Sequence, residues 1–328
     1  MTVSPHFEVH LTAEDLAAAL RSDVRAGLGS RPRELPAKWF YDERGCALFE
    51  EITRLPEYYP TRREREILAR EAAEIARLTG ADTLVELGSG TSEKTRILLD
   101  AMAGAGQLTR IVLFDVSEPT VRAAAAALAE EYPGVEIHGV VGDFERHLHH
   151  LPGGGRRLVA FFGGTIGNLG PVERKWFLGE VAADMVGGDA LLLGTDLVKD
   201  RRRLEAAYDD AAGVTAAFNR NVLVMLNREL GADFDIEQFA HEARFDPDRE
   251  WMDIRLRATS AQTVTIVSLG MTLEFDAGET IRTEISTKFR RKLVEAEITS
   301  AGLELARWWT DERSDYAVSL SFSRQVSG

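Results

Sequence analysis

The 328-residue chain contains one cysteine, Cys46. That count excludes an internal disulfide and a cysteine-rich zinc centre. Basic residues are also short: 39 Lys and Arg stand against 53 Asp and Glu, a formal charge of −14, with no long basic run. Such a chain is a poor partner for nucleic acid or an anionic membrane surface. No apolar run approaches the ~18 residues a membrane span needs, and the N-terminus lacks a charged-then-apolar leader pattern. Internal repeats and low-complexity runs are missing too, apart from an alanine-rich helix face at 123–127. The expectation is a cytoplasmic globular protein of one large or two moderate domains, acting on a small molecule without nucleic acid or membrane.

The most informative stretch runs Asp82-Thr-Leu-Val-Glu-Leu-Gly-Ser-Gly-Thr-Ser-Glu-Lys94. A short apolar run ends in Gly88-Ser89-Gly90, and a helical pattern opens at Thr91 or Ser92, so the segment reads as strand, tight turn and helix N-terminus. Glycines there let the backbone turn sharply and let a ligand lie against the main chain. The third glycine of the dinucleotide fingerprint is missing, since Ser92 or Glu93 stands about where it would fall. Glu86 places a carboxylate before the turn, where it can meet the ammonium of S-adenosylmethionine (SAM). By itself the corner leaves SAM, another nucleotide and a plain tight turn open.

Further strands follow at the spacing of an alternating α/β chain. The run 110–115 ends in Asp115, 25 residues beyond Gly90, where a carboxylate can accept ribose hydroxyls. The strand 135–141 leads to Asp143-Phe144, a pair suited to an adenine amine and ring. The strand 157–162 leads to the loop Gly163-Gly-Thr-Ile-Gly-Asn168, and 189–196 forms a fifth strand. Helical patterns at 118–132 and 172–185 separate them. Any one acid at a strand end can merely solvate a loop, but three in succession after a glycine corner point to one ligand. Near the C-terminus, a helix at 290–303 ends at Gly302 and two alternating strands follow. That finish adds an antiparallel hairpin, as in SAM-dependent methyltransferases and unlike dehydrogenases. The fold class expected is α/β: a doubly wound, Rossmann-like class I methyltransferase sheet with a terminal antiparallel hairpin, plus a second α+β lobe.

About 90 residues between the fifth strand and the last helix are too many for an unstructured loop. They read as helical over 204–230 and as strands over 251–259, 263–269 and 271–275. The domains expected are therefore 63–196 with 289–328 for SAM, and 1–62 with 197–288 as a substrate-binding cap.

Several segments stand together: Leu35-Pro-Ala-Lys-Trp-Phe-Tyr-Asp42, Ile52-Thr-Arg-Leu-Pro-Glu-Tyr-Tyr-Pro-Thr-Arg62, the glycine corner extended to Arg96, Gly164-Thr-Ile-Gly-Asn168, the run from Tyr208 to Asn221, and Glu284-Ile-Ser286. Together they resemble the histidine-specific SAM-dependent methyltransferase family, of the actinobacterial type, across residues 11–322. The resemblance implies trimethylation of the α-amino group of L-histidine to hercynine, the first step of ergothioneine biosynthesis, by a monomer. It implies that Gly88 and Lys94 bind the methionine end of SAM, Asp115 the ribose, and Asp143 with Phe144 the adenine. Asn168 and Tyr208 would hold the substrate carboxylate, Glu284 and Ser286 the imidazole, and Tyr58 would complete the pocket. Tyr41, Gly163 and Thr165 would orient the amine, with Phe49 near it. One departure stands out, because Ile254 replaces the motif's usual methionine beside the imidazole.

Each of these residues has an ordinary reading as well. Tyr58 suits a packed turn, Asn168 a turn cap, Glu284 a solvated edge strand and Lys94 a first helical turn. His147, His149 and His150 invite a metal, but a third partner and a carboxylate are missing, so they read as a solvated helix end and no metal is expected. A SAM-dependent methyltransferase for another small amino acid or amine is the alternative function.

Overall fold

The computed structural model describes residues 4–90, 94–144 and 146–323. In chain order the elements are β1 (His6–Val9), α1 (Ala13–Gly29), β2 (Arg33–Glu34), α2 (Glu43–Arg54), α3 (Pro60–Thr79), β3 (Thr83–Leu87), α4 (Thr95–Gly104), β4 (Arg110–Asp115) and α5 (Glu118–Glu131). They continue with β5 (Glu136–Val141), β6 (Arg157–Phe161), α6 (Pro171–Asp184), β7 (Ala190–Asp196), α7 (Arg201–Tyr208), α8 (Val214–Leu230), β8 (Phe239–Asp246) and β9 (Trp251–Ala258). The last are β10 (Gln262–Ile266), β11 (Met271–Phe275), β12 (Thr280–Thr287), α9 (Arg291–Ser300), β13 (Leu303–Thr310) and β14 (Tyr316–Ser323). The expected helix start at Thr91 or Ser92 lies outside the described residues.

Two compact units divide the chain: Met1–Thr12, Arg62–Leu197 and Phe289–Gly328 form the first, and Ala13–Thr61 with Val198–Lys288 the second. The first twelve residues thus depart from the expected 1–62 segment. The cause is β1, which pairs in parallel with β5 of the large sheet.

The first unit is built on an eight-stranded sheet in the order β1-β5-β4-β3-β6-β7-β14-β13. Neighbours from β1 through β7 run parallel, whereas β14 is antiparallel to β7 and β13 to β14. The expected doubly wound sheet with a terminal antiparallel hairpin is therefore present. Every residue of β3, β6 and β7 is buried, which explains why these strands read as unbroken apolar runs: both faces are covered. Strand order reverses at β3, with β4 on one side and β6 on the other. Such a switch opens a crevice at the carboxyl ends of the strands.

In the second unit, a four-stranded sheet β2-β12-β9-β8 and the hairpin β10-β11 pack with α1, α2, α7 and α8 around an apolar core that includes Phe40, Phe218, Phe239 and Phe275. Asp42 caps α2 by accepting the Gly45 N–H at 2.8 Å. Asn221 Nδ2 donates to Asp42 Oδ1 at 2.7 Å, which ties α8 to that cap. The single helix expected over 204–230 is instead two. Asp210 accepts the Val214 and Thr215 N–H groups at 3.0 and 2.7 Å and starts α8 afresh, with Gly213 at φ +75°. β12 follows β9 along its length, with a bulge between Arg282 and Glu284.

Candidate active site

In the first unit, the expected donor-binding residues gather at the carboxyl ends of β3, β4, β5 and β6. Gly88 and Gly90 have φ +71° and +48°, so the corner requires the left-handed region that residues with a side chain avoid. A Cβ on Gly90 would meet nothing within 4 Å, and one on Gly88 would touch the Phe144 ring at 3.4 Å. Asp115 accepts the Gly90 N–H at 3.2 Å and the Ser117 N–H at 3.0 Å. Burial raises the Asp115 pKa against those donors, so hydroxyl donors from a ligand would relieve a desolvated carboxylate. Phe144 stacks on Phe114 with centroids 5.6 Å apart, and the Asp143 backbone N–H donates to His147 Nδ1 at 3.0 Å. Glu86 is buried and takes the Thr95 hydroxyl. Open backbone, a desolvated carboxylate and an aromatic face suit a nucleoside with a charged tail.

Glu64 is the residue the sequence reading missed. It is fully buried, yet it accepts the Gly163 N–H at 3.0 Å and the Tyr316 hydroxyl at 2.8 Å, and it pairs with Lys94. One carboxylate from α3 thus joins the loop after β6, the last strand and the expected donor-binding lysine. An acid near a helix start reads from sequence as a partner for the helix dipole, so nothing local marked it. Gly163 and Gly164 have φ +78° and +70° and lead into a 3₁₀ turn, Thr165–Asn168. The Thr165 hydroxyl donates to the Phe162 carbonyl at 3.0 Å.

In the second unit, aromatic rings follow one another: Tyr41–Phe49 at 5.7 Å, Phe49–Tyr58 at 6.1 Å and Tyr58–Tyr208 at 6.3 Å. Phe218, absent from the sequence reading, lies 5.8 Å from Tyr41 and 6.0 Å from Phe49. Beyond Tyr208 the lining turns polar. Its hydroxyl lies 2.9 Å from Ser286 Oγ, and the buried Lys288 ammonium donates to both oxygens at 2.8 Å. Glu284 and Ser286 alternate along β12, so they share one face, and Lys288 just past the strand end reaches back to Ser286; that spacing was a signal available in the sequence.

β12 lies between β2 and β9 in the sheet, and Ile254 of β9 is the direct cross-strand partner of Glu284 just after the bulge. Bulges re-aim the side chains beside them. Packed protein around the Glu284 carboxyl pushes its pKa up to about 7, with Lys288 pulling the other way. The group is thus poised to change charge near neutrality, and a polar ligand there would change its protonation.

A glycine corner, acids at successive strand ends and the terminal hairpin together define a class I SAM-dependent methyltransferase. The model of the histidine-specific, SAM-dependent methyltransferases matches residues 20–322, and the chain belongs to that family. It is 57% identical over 312 residues to histidine N-alpha-methyltransferase of Mycolicibacterium smegmatis, covering 95% of this chain and 97% of the other. It is 56% identical to histidine N-alpha-methyltransferase of Mycobacterium tuberculosis at the same coverage. Ergothioneine biosynthesis protein 1 of Neurospora crassa is 31% identical, over 85% of this chain and 32% of that one. No described helix is long and apolar enough to cross a membrane.

Proposed function

We propose that the chain transfers three methyl groups from SAM to the α-amino nitrogen of L-histidine, giving hercynine in the formation of ergothioneine. The observation that carries this reading is the near full-length identity to the two mycobacterial histidine N-alpha-methyltransferases. The polar end of β12 supports it, because Glu284, Ser286 and the adjoining Lys288 offer a carboxylate, a hydroxyl and an ammonium for a polar ring.

Bound SAM supplies an electrophilic methyl group on a sulfonium, which a neutral amine attacks without a metal. Gly88, Lys94 and Glu86 would hold its methionine end, Asp115 its ribose, and Asp143 with Phe144 its adenine. On the acceptor side, Asn168 and Tyr208 would bind the histidine carboxylate, and Glu284 with Ser286 the imidazole, alongside Tyr58 and Ile254. A chain-terminal α-amine has a pKa of about 8 and that of a free amino acid is higher, so the substrate amine is mostly protonated near neutrality, and Tyr41, Thr165 and the Gly163 carbonyl would orient the nitrogen as its proton leaves. As methyls accumulate the product becomes a permanent cation, and Phe49 or Tyr41 can face it with a ring, worth about 0.5–2 kcal/mol. Selectivity follows from Glu284: an amino acid without a ring N–H offers that desolvated carboxylate no donor and forgoes an interaction worth roughly 1–3 kcal/mol. The acting form in this reading is a cytoplasmic monomer.

Incubation with SAM and L-histidine, followed by mass spectrometry, should show a gain of three methyl groups. Ile254 in place of the family's methionine gives the alternative substrate a specific basis. A panel of amino acids should therefore be run in parallel, and release of S-adenosylhomocysteine with another amino acid but not with histidine would overturn the reading.

A further inference from the structure

Six of the seven histidines fall in the first unit, and three of them, His6, His10 and His138, surround one carboxylate at the sheet edge. The chain's first strand explains how. In β1 the side chains alternate, so His6 and Glu8 stand on one face, with Phe7 on the other. The Phe7 ring fills the space over Gly139, where a Cβ would come within 2.7 Å of it. β1 runs parallel to β5 in a register that sets His6 beside His138, and the two rings meet edge to face at 4.6 Å. Glu8 Oε1 lies 3.1 Å from His138 Nε2 and 3.8 Å from His6 Nε2. The other oxygen, Oε2, is 3.0 Å from His10 Nε2, and the His10 ring stacks on His150 with centroids 3.7 Å apart.

From the sequence alone, His147, His149 and His150 lack a third partner and a carboxylate, so no metal is expected there. Glu8 of β1 and His10 just past that strand come to this edge from more than a hundred residues away, and His149 and His150 sit in a short 3₁₀ turn, not at the end of an α-helix. Among the described residues, His6, Glu8 and His138 are the group whose ligand atoms all lie within 4.8 Å of one another. Bonds of about 2.0–2.2 Å at tetrahedral angles require ligand atoms ~3.3 Å apart. The two measured separations to Glu8, 3.1 and 3.8 Å, bracket that value. The third separation closes by rotation of His6, whose side chain is 64% exposed, while His138 at 9% supplies the anchored ligand. His10 steadies the carboxylate from behind, as partners of metal ligands commonly do.

We propose that His6, Glu8 and His138 form a site for a divalent first-row transition metal ion, with solvent completing the coordination. Two imidazoles and one carboxylate suit zinc, nickel or cobalt and disfavour calcium and magnesium, which prefer all-oxygen shells. The site lies on the outer edge of β5, and its ligands include none of the residues assigned to methyl transfer. Its consequence is structural: the ion clips a four-residue edge strand to the sheet.

The test is zinc binding to the full chain, free of any affinity tag, measured by competition with a chromophoric chelator and by thermal melting. The wild type should take up one equivalent. His6→Ala and Glu8→Gln should each weaken it at least tenfold and abolish the zinc-dependent rise in melting temperature, whereas His149→Ala should bind as the wild type does. His6 is exposed, so its replacement leaves the apo fold intact, which the metal-free melting curve verifies. Zinc binding no tighter in the wild type than in His6→Ala would overturn the proposal. So would binding that survives both substitutions and disappears with His10→Ala, since the site would then be elsewhere.

Discussion

Replacing Glu284 with glutamine should stabilise the ligand-free protein at alkaline pH while impairing histidine recognition. The Glu284 pKa is raised from 4.5 to about 7, so the folded protein retains a proton that the unfolded chain has released. Between those two values folding takes up a proton, and stability therefore falls as pH rises through the window. Roughly 2.5 pH units at 1.36 kcal/mol each give a full penalty of about 3 kcal/mol above pH 7, with the nearby Lys288 already included. Glutamine does not titrate, so Glu284→Gln should match the wild type near pH 5 and exceed its stability by about 1–3 kcal/mol at pH 8. Histidine should reverse the order. Saturation at about a hundred times Kd stabilises the wild type by roughly 2.7 kcal/mol, and the variant, with a weaker acceptor for the ring N–H, gains less. Calorimetric melts at pH 5 and 8, with and without histidine, measure all four cases. A stability difference that is the same at both pH values would refute the reasoning, and so would a variant less stable than the wild type at pH 8.

Gly194→Ala should damage donor binding from beneath the site, because a Cβ there would overlap Glu64 Oε1 and come within 2.7 Å of the Tyr316 hydroxyl. Calorimetric titration should show at least tenfold weaker SAM binding, and unchanged affinity would mean that the Glu64 junction does not position Lys94 or Gly163. Ile254→Met installs the methionine that the family resemblance leads one to expect, at nearly constant volume, so melting temperature should move little and KM for histidine by less than about threefold; a larger fall in KM would mark Ile254 as a determinant of substrate range. Phe49→Leu should release mono- and dimethyl histidine by slowing the third transfer, and a product distribution identical to the wild type would remove that ring from the site.

The large sheet was legible because its central strands are buried on both faces and separated by amphipathic helices, so local composition carries the topology. The acids at the ends of β3 and β4 were legible for the same reason, since each closes an apolar run. β1 was not. Its four residues alternate weakly, and its place beside β5 depends on a pairing across more than a hundred residues that no local pattern records. The break between α7 and α8 was hidden because Leu204, Tyr208 and Phe218 keep helical spacing across it, while the Asp210 cap that restarts the chain looks like any surface acid.

Glu64, Glu284 and Glu8 show what local reasoning loses. Each is an acid in an ordinary-looking helix or strand, and each collects partners from distant segments: Lys94, Gly163 and Tyr316 for the first, Ile254 and Lys288 for the second, and His10 and His138 for the third. Periodicity assigns such a carboxylate to solvent, because that is where an unpaired charge costs least. Withdrawing it from solvent is favourable only when donors or cations converge on it, and convergence is a property of the tertiary fold. The acids that sequence patterning treats as surface are therefore where this fold gathers partners that no local pattern records.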